Sequence, residues 1–321
     1  MGAMISPECA PAGVIVPGRL FRDDTGATAQ LHGVGIHQFD GRFYAWGEDK
    51  TRGSLFTGIA CYSSVDLATW TSHGHALAAD RSIAELGPDR VIERPKVLRT
   101  TRGTYVMFLH IDTADYSLAR LGRAVADRPE GPYSYLGSER PLGNVSRDIG
   151  VFQDEDGTGY VLSEDRENGL HIYRLTPDFL GVEEIVSTTL ALPGGHPAGA
   201  HGYESPTLVS HEGLYYLFGS DLTGWSMNDN KYATATALEG PWSDWSDFAP
   251  AGSATFDSQT SVVLPVRGSE QTSFVYIGDR WIRDDLSHSP PVWLPLHLGD
   301  GTARLEWRHE WRIEPGTGRI S

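Results

Sequence analysis

The chain has 321 residues, and its 26 basic and 42 acidic side chains give a formal net charge of −16. An acidic chain without a basic run is a poor match for nucleic acid or an anionic membrane surface, so we expect neither as a partner. A hydrophobic content of 40%, together with 37 Gly and 19 Pro, indicates a folded and mostly β protein rather than a disordered or helical one.

Targeting and cysteine signals are weak. No apolar run approaches the roughly 18 residues of a membrane span, and the first residues lack the basic and apolar regions of a signal peptide. The sequence therefore fits a cytoplasmic protein, or an exported one whose signal peptide is missing from this chain. Cys9 and Cys61 are too few for a disulfide framework or a thiolate zinc site, so we predict free or buried thiols. We expect a monomer.

A short segment with aromatic and apolar residues after a glycine recurs along the chain. It occupies residues 41–47, 103–108, 157–162 and 213–219, with a weaker copy without the first glycine at 272–278. Successive copies begin 62, 54, 56 and 59 residues apart. Strand-like repeats of this length are typical of propeller blades, each a four-stranded sheet. We predict an all-β, five-bladed β-propeller that fills residues 1–321 as one domain. A two-sheet sandwich is the alternative, but it does not explain the period.

Further strands follow the first four copies. Alternating residues that end at a Pro, Gly or Asp turn occupy residues 58–70, 122–133, 170–178 and 232–242. We interpret these segments as the third strands of successive blades.

A polar residue precedes every copy, where the innermost strand of a blade is expected. It lies nine or ten residues upstream in four copies and thirteen in the fifth, giving His32, Glu93, Asp148, Glu204 and Gln259. Innermost strands surround one axial channel, so these side chains are predicted to meet there. Any one of them alone fits a group that faces channel water. Three carboxylates at matched positions instead indicate glycoside hydrolysis, because neighbouring carboxylates shift one another's pKa and one of them can act as the acid.

Ten segments, in order along nearly the whole chain, carry a resemblance to a known family. They are residues 32–36, 44–48, 93–96, 146–150, 169–173, 204–207, 224–225 with Asn228, 258–261, 278–281 and 293–296. The chain resembles glycoside hydrolase family 43, and most of all its exo-β-1,3-galactanase branch. The resemblance implies a five-bladed propeller and an inverting, exo-acting enzyme that releases galactose from β-1,3-galactan. An α-L-arabinofuranosidase or β-xylosidase of the same family, and a non-catalytic sugar-binding propeller, are the alternatives.

The resemblance also implies roles for the inner residues. Glu204 matches the general acid, and Asp148 matches the carboxylate that orients it and raises its pKa. Most of the family has an Asp on the first blade as the base, whereas this chain has His32 there. In the galactanase branch, a Gln matching Gln259 and a Glu matching Glu93 handle the water. Gln259, Glu93 and His32 all stay open as the base, and an inverting enzyme is expected to separate acid and base by about 6.5–9.5 Å.

Substrate contacts are also carried over by the resemblance. The matching positions around the terminal sugar are Glu48, Tyr116, Glu164, Thr223 and Trp225. To these we add Trp281 as an aromatic platform and His32 as a polar contact, for which the alternatives are a hydrogen-bonding residue of the channel and a ligand to an ion. For each aromatic residue the alternative is core packing. For Glu48 and Glu164, which end strands, the alternative is a position facing solvent.

Other patterns are given no functional weight. His73 with His75, and His196 with His201, lack the spacing of a complete metal site, so they are predicted to be loop histidines. Asn144 begins a glycosylation sequon next to the predicted site, which argues against its use. We expect no required cofactor, although a calcium ion in the axial channel is compatible with this fold.

Overall fold

The computed structural model describes residues 13–190 and 202–321. Five antiparallel sheets, each with four strands in sequence order, form the five blades. Their strands are β1 His32–Phe39, β2 Arg42–Glu48, β3 Gly58–Ser64 and β4 Thr71–Ala78; β5 Arg90–Arg99, β6 Tyr105–Thr113, β7 Arg120–Ala126 and β8 Ser134–Glu139; β9 Ile149–Gln153, β10 Gly159–Asp165, β11 Gly169–Leu175 and β12 Val182–Thr189; β13 Glu204–His211, β14 Leu214–Ser220, β15 Lys231–Ala235 and β16 Ser246–Asp247; and β17 Gln259–Arg267, β18 Thr272–Asp279, β19 Val292–Gly299 and β20 Thr302–Leu305. The predicted five-bladed propeller is confirmed.

The repeat segments form the second strand of each blade. Gly41 and Gly213, which begin two of them, have φ values of 81° and 76° in the hairpin turn from the first strand, a conformation that glycine adopts without strain. The predicted third strands overlap β3, β7, β11 and β15, and the last three of these strands begin one or two residues earlier than predicted. Single helical turns at Ala84–Leu86, Pro141–Gly143, Ala254–Asp257 and Leu286–His288 lie in the connections.

The innermost strands β1, β5, β9, β13 and β17 pack side by side around the axis. Two glycines permit this close approach. A Cβ on Gly35 would lie 2.2 Å from the carbonyl oxygen of Pro95, and one on Gly150 would lie 2.1 Å from that of Pro206. Any larger residue at either position would push neighbouring blades apart.

Hydrophobic clusters fill the spaces between blades, and the one between the first and last blades closes the ring. Ile15 forms an antiparallel bridge with Trp311, and the indole of Trp311 donates to the carbonyl oxygen of Trp293 at 2.9 Å. All three side chains are buried together with Trp70. A small hairpin of β21 (Ile313–Glu314) and β22 (Arg319–Ile320) follows. Within the described ranges, no helix is long and apolar enough to cross a membrane.

Three innermost strands have a β-bulge directly after the predicted site residue. The pairing register shifts between His32 and Gly35 in β1, between Glu93 and Lys96 in β5, and between Glu204 and Thr207 in β13. The residue after each predicted site residue has positive φ: 55° at Gly33, 55° at Arg94 and 54° at Ser205. A bulge redirects side chains and is common beside active sites. Here the bulge lies beside the predicted site residue, which is the first residue of β1 and of β13 and the fourth residue of β5.

Candidate active site

The structure brings the five predicted inner residues to one end of the axial channel. The carboxamide of Gln259 donates from Nε2 to Oε1 of Glu204 at 2.9 Å. Asp148 has a carboxylate oxygen within 4.8 Å of carboxylate oxygens of both Glu164 and Glu204, and one within 4.8 Å of a carboxylate oxygen of Glu93. His32 joins the group through the indole of Trp281, with ring centroids 5.5 Å apart. Residues from all five blades therefore contribute to one cluster.

A second ring of buried polar residues lies opposite the first, on the second strand of each blade. His32 pairs with Glu48, Glu93 with His110, Glu204 with Ser220 and Gln259 with Asp279. In the third blade, the backbone N–H of Glu164 donates to the carbonyl oxygen of Asp148 at 2.9 Å.

Our sequence reasoning overlooked His110, Ser220 and Asp279. The signal was available, because every member of this ring lies seven residues after the first residue of a repeat copy.

Glu204 lies in surroundings that favour its protonated form. It is 6% exposed, and burial, followed by the charges of Glu164 and Asp148, raises its pKa well above the usual value. Arg166 lies closer to Glu164, at 2.6 Å from Nε to Oε1, than to Glu204, at 3.3 Å from Nη2 to Oε2. Burial raises the pKa of Glu164 as well. Because the guanidinium favours Glu164, we assign the negative charge to Glu164 and the proton to Glu204.

Arg94 connects several parts of the site, and sequence reasoning did not single it out. Its Nη2 donates to Oε1 of Gln259 and lies 3.2 Å from Oδ2 of Asp148. Its Nη1 donates to Oδ2 of Asp279 at 3.3 Å, and its backbone N–H donates to Oε1 of Glu48 at 2.9 Å. The bulge that gives Arg94 positive φ is therefore what places this cation among the carboxylates.

Glu93 is held as an anion on the other side of Asp148. The hydroxyl of Tyr116 donates to its Oε1 at 3.0 Å, and Nζ of Lys50 lies 3.8 Å from the same oxygen. Burial opposes ionisation, but contact with His110 and the charges of Lys50 and Arg94 outweigh it and lower the pKa of Glu93 to about 2. At neutral pH this carboxylate is ionised.

His110 carries a positive charge behind two of the carboxylates. Its Nε2 lies 2.8 Å from Oδ2 of the fully buried Asp112. Its Nδ1 lies 3.5 Å from Oε2 of Glu93 and 4.0 Å from Oδ1 of Asp148. Burial lowers the pKa of His110, but the surrounding carboxylates outweigh burial and raise it to about 9.

His32 is in the opposite state. Burial, followed by the charge of Lys50, lowers its pKa to about 3, so the imidazole is neutral at physiological pH. Its ring stacks on Trp281, with an interplanar angle of 28°. The indole of Trp281 in turn donates to Oε1 of Gln259 at 3.3 Å.

The predicted substrate contacts divide into a buried group and a rim. Glu48 and Glu164 are 3% and 1% exposed, so the alternative that they face solvent is wrong. Trp225 is 46% exposed and meets Trp281 edge to face, with ring centroids 6.2 Å apart. Thr223 lies on the same exposed loop and bonds to the backbone oxygen of Ser226 and to Asn228, not to the buried cluster.

The remaining predictions concern residues outside the cluster. His73 and His75 bond to Ser63 and Asp49 and belong to neither group of possible metal ligands among the described residues. Cys61 is a buried thiol whose pKa is raised by burial. The side chain of Asn144 donates to the hydroxyl of Tyr173 at 3.1 Å. Cys9, His196 and His201 lie outside the described residues.

Two overlapping groups in the described ranges have the ligand types for a cation. They are Glu93 with His110 and Asp148, and Asp148 with Glu164 and Glu204. Arg94 and Arg166 form ion pairs with Asp148 and with Glu164 and Glu204. These protein cations already compensate much of the negative charge at both groups.

A five-bladed propeller with a carboxylate cluster at one end of its axis is an architecture suited to glycoside hydrolysis. Residues 35–273 match the model of the glycosyl hydrolases family 43. The chain belongs to this family, which confirms the resemblance seen in the sequence.

Similar solved structures agree. A candidate exo-β-1,3-galactanase from Bifidobacterium bifidum is 47% identical with a TM-score of 0.87, over 91% of this chain and 96% of that one. An exo-β-1,3-galactanase from Phanerochaete chrysosporium, solved with β-1,3-galactotriose, is 36% identical with a TM-score of 0.89, over 96% and 70%. One from Clostridium thermocellum is 34% identical with a TM-score of 0.87, over 96% and 68%.

A more distant relative has a different specificity. A xylan 1,3-β-xylosidase from a Vibrio species is 25% identical over 179 residues, which are 52% of this chain. The match spans about a third of the length of that relative, 32%.

Proposed function

We propose that the protein is an inverting, exo-acting glycoside hydrolase that releases galactose from the ends of β-1,3-galactan. The observation that carries the proposal is the buried carboxyl of Glu204, held against the carboxamide of Gln259 at the axial cluster. The names of the similar structures support the linkage, the sugar and the exo action. The substrate is a galactose oligosaccharide or polysaccharide, the chain acts as a monomer, and no cofactor takes part in the proposed chemistry.

Glu204 acts as the general acid in this proposal. A protonated carboxyl near neutral pH can transfer its proton to the leaving oxygen as the glycosidic bond breaks. Glu164 and Asp148 favour this protonated form, since their negative charges make ionisation of Glu204 unfavourable. Asp148 also forms an ion pair with Arg94. This ion pair connects the part of the site that contains Glu204 with the part that contains Glu93.

On the water side, we propose that Glu93 accepts the proton of the attacking water and that Gln259 orients this water. Both polar atoms of Gln259 have partners within the protein: Nε2 donates to Glu204 and Ser220, and Oε1 accepts from Arg94 and Trp281. To orient the water, Gln259 exchanges one of these bonds for a bond to water. A neutral amide is a poor base. Glu93 is a weak base but is anionic at neutral pH, and water attacking an electron-poor anomeric carbon becomes strongly acidic. His32 is neutral and stacked, which suits a contact with the sugar.

The remaining predicted residues surround the sugar in this proposal. Glu48, Tyr116 and Glu164 supply hydrogen bonds from the buried end. Trp281 and Trp225 supply apolar faces at the exposed end, with Thr223 beside them. A buried, charged end with an aromatic rim suits a terminal sugar better than the middle of a chain.

The test is release of sugar from β-1,3-galactan and β-1,3-galactobiose by the full chain, with Glu204→Gln as the inactive control. We expect galactose as the product from the wild type. The Vibrio relative makes a β-1,3-xylosidase the second candidate, so β-1,3-xylobiose and an aryl α-L-arabinofuranoside belong in the same panel. Faster release of xylose than of galactose would replace the galactanase assignment. Binding of galactobiose without release of any sugar would indicate a non-catalytic propeller.

A further inference from the structure

Four consecutive residues, none of them glycine, form one left-handed helical turn. Ala254, Thr255, Phe256 and Asp257 have φ values of 50°, 50°, 58° and 55°. L-residues avoid this conformation because Cβ comes too close to a carbonyl oxygen. Strained segments of this kind persist only where surrounding contacts enforce them, and they concentrate at functional sites. The turn ends two positions before Gln259, the first residue of β17.

Asp229 holds the beginning of this turn. Its Oδ2 accepts the backbone N–H of Gly252 at 2.6 Å, and its Oδ1 accepts that of Ala254 at 2.7 Å. The backbone N–H of the next residue, Asn230, donates to Oγ1 of Thr255 at 2.8 Å, and Thr255 is fully buried. Two adjacent residues of one loop therefore fix the first half of the turn.

The end of the turn fixes the backbone on both sides of Gln259. The hydroxyl of Ser258 donates to the carbonyl oxygen of Thr255 at 2.6 Å, and Ser258 is fully buried. The backbone N–H of Thr260 donates to Oδ1 of Asn230 at 2.7 Å. The residues before and after Gln259 are thus tied to the turn and to the loop that holds it, while the Gln259 carboxamide points to Glu204 and Ser220.

We propose that Asp229 is a positioning residue for the hydrolytic reaction. It keeps the turn at 254–257 left-handed and thereby fixes the Gln259 carboxamide against Glu204. The kinetic part of this inference rests on the proposed function, whereas the structural part does not. The loop that contains Asp229 also contains Trp225 at the rim. The same loop therefore forms part of the rim of the proposed sugar site and holds the backbone next to Gln259.

The kinetic test compares Asp229→Ala and Asp229→Asn with the wild type. We expect Asp229→Ala to lower kcat about tenfold or more on both β-1,3-galactobiose and an aryl β-galactoside, with KM within about twofold, because displacement of a group on the water side affects both leaving groups alike. Asp229→Asn keeps the shape and one acceptor oxygen, so its loss should be smaller. A change in KM alone would overturn the proposal.

Asp66→Ala is the matched control. Asp66 Oδ1 also accepts two backbone N–H groups, from Ala68 at 3.0 Å and Thr69 at 2.8 Å, but in the β3–β4 connection at the other end of the propeller. Its kinetics should equal those of the wild type, and a loss as large as that of Asp229→Ala would overturn the proposal. Adding Ala254→Gly to Asp229→Ala should restore part of kcat, because glycine tolerates positive φ.

A crystal structure of Asp229→Ala tests the placement without any activity, and Asp229→Asn takes its place should the alanine variant not fold. We expect a turn that leaves the left-handed conformation and a Gln259 Nε2 more than about 3.5 Å from Glu204, beyond hydrogen-bonding distance. An unchanged turn and an unchanged Gln259 would overturn the proposal. If the wild type hydrolyses no galactoside, the proposed function is wrong. The crystal structure of the variant still shows whether Asp229 positions Gln259.

Discussion

Nε2 of Gln259 donates to Oε1 of Glu204 at 2.9 Å, so the first residues of two neighbouring innermost strands are in direct contact. This contact is far shorter than the separation of about 6.5–9.5 Å that an inverting pair of acid and base requires. The expected spacing is therefore wrong for Glu204 and Gln259 in this arrangement. Glu93 and Glu204 each have a carboxylate oxygen within 4.8 Å of Asp148 but belong to two different groups of neighbouring ligand atoms.

Glu204→Gln tests the acid. The amide cannot protonate the leaving oxygen, so we expect kcat on β-1,3-galactobiose to fall at least about 10²-fold. An aryl β-galactoside with a good leaving group needs less protonation and should lose less. Measured turnover on both substrates decides the matter, and full activity of Glu204→Gln on galactobiose would remove the acid assignment.

Glu164→Gln tests the electrostatic support of the acid. Removing a negative charge beside Glu204 should lower the pKa of Glu204, so the acid loses its proton at a lower pH and the alkaline limb of the kcat/KM profile moves down. Asp148→Asn should move the limb in the same direction, because Asp148 also raises this pKa. The exposed Glu184, in β12, provides the control Glu184→Gln, which should leave the profile unchanged. A limb that stays in place in Glu164→Gln would contradict the assignment of charge to Glu164.

The five blades and the inner residues could be predicted because a propeller repeats one local pattern and brings equivalent positions together. His110 and Asp279 could have been predicted in the same way, because each lies seven residues after the first residue of a repeat copy. Arg94 is different, because its position depends on a bulge and on carboxylates from other blades. The left-handed turn at Ala254–Asp257 contains no glycine, so local propensity pointed away from it and tertiary contacts decide its conformation.

His110→Gln tests the charge behind Glu93. Loss of the imidazolium should raise the pKa of Glu93 from about 2, since contact with His110 helps to keep it low. Glu93 must be ionised to accept a proton, so the acid limb of kcat/KM should move to higher pH, while Lys50, Arg94 and Tyr116 remain in place. Rates measured from pH 4 to 8 would show this shift. A uniform loss at every pH would instead indicate a purely structural role for His110.

The stereochemistry of the product follows from single displacement by water. Proton NMR of the first product formed from β-1,3-galactobiose should show the α-anomer of galactose before mutarotation. Early appearance of the β-anomer would mean a retaining mechanism with a covalent intermediate, and the proposed roles of Glu93 and Gln259 would be lost together.

The last prediction separates Glu93 from Gln259. If Glu93 accepts the proton, Glu93→Gln should lower kcat at least about 10²-fold on galactobiose and on the aryl galactoside alike, because activation of water is needed whatever the leaving group.

Gln259→Ala removes the group that orients water but leaves the proton acceptor, so its loss should be smaller, roughly tenfold, and again equal for both substrates. It also removes a hydrogen bond to Glu204, so the pH profile of this variant has to be measured to separate an effect on the acid. External azide can replace water as a nucleophile that needs no base, and it should rescue Glu93→Gln on the aryl substrate by forming a galactosyl azide. If azide rescued Gln259→Ala and left Glu93→Gln inactive, the proton acceptor would be Gln259, and Glu93 would be a contact to the sugar.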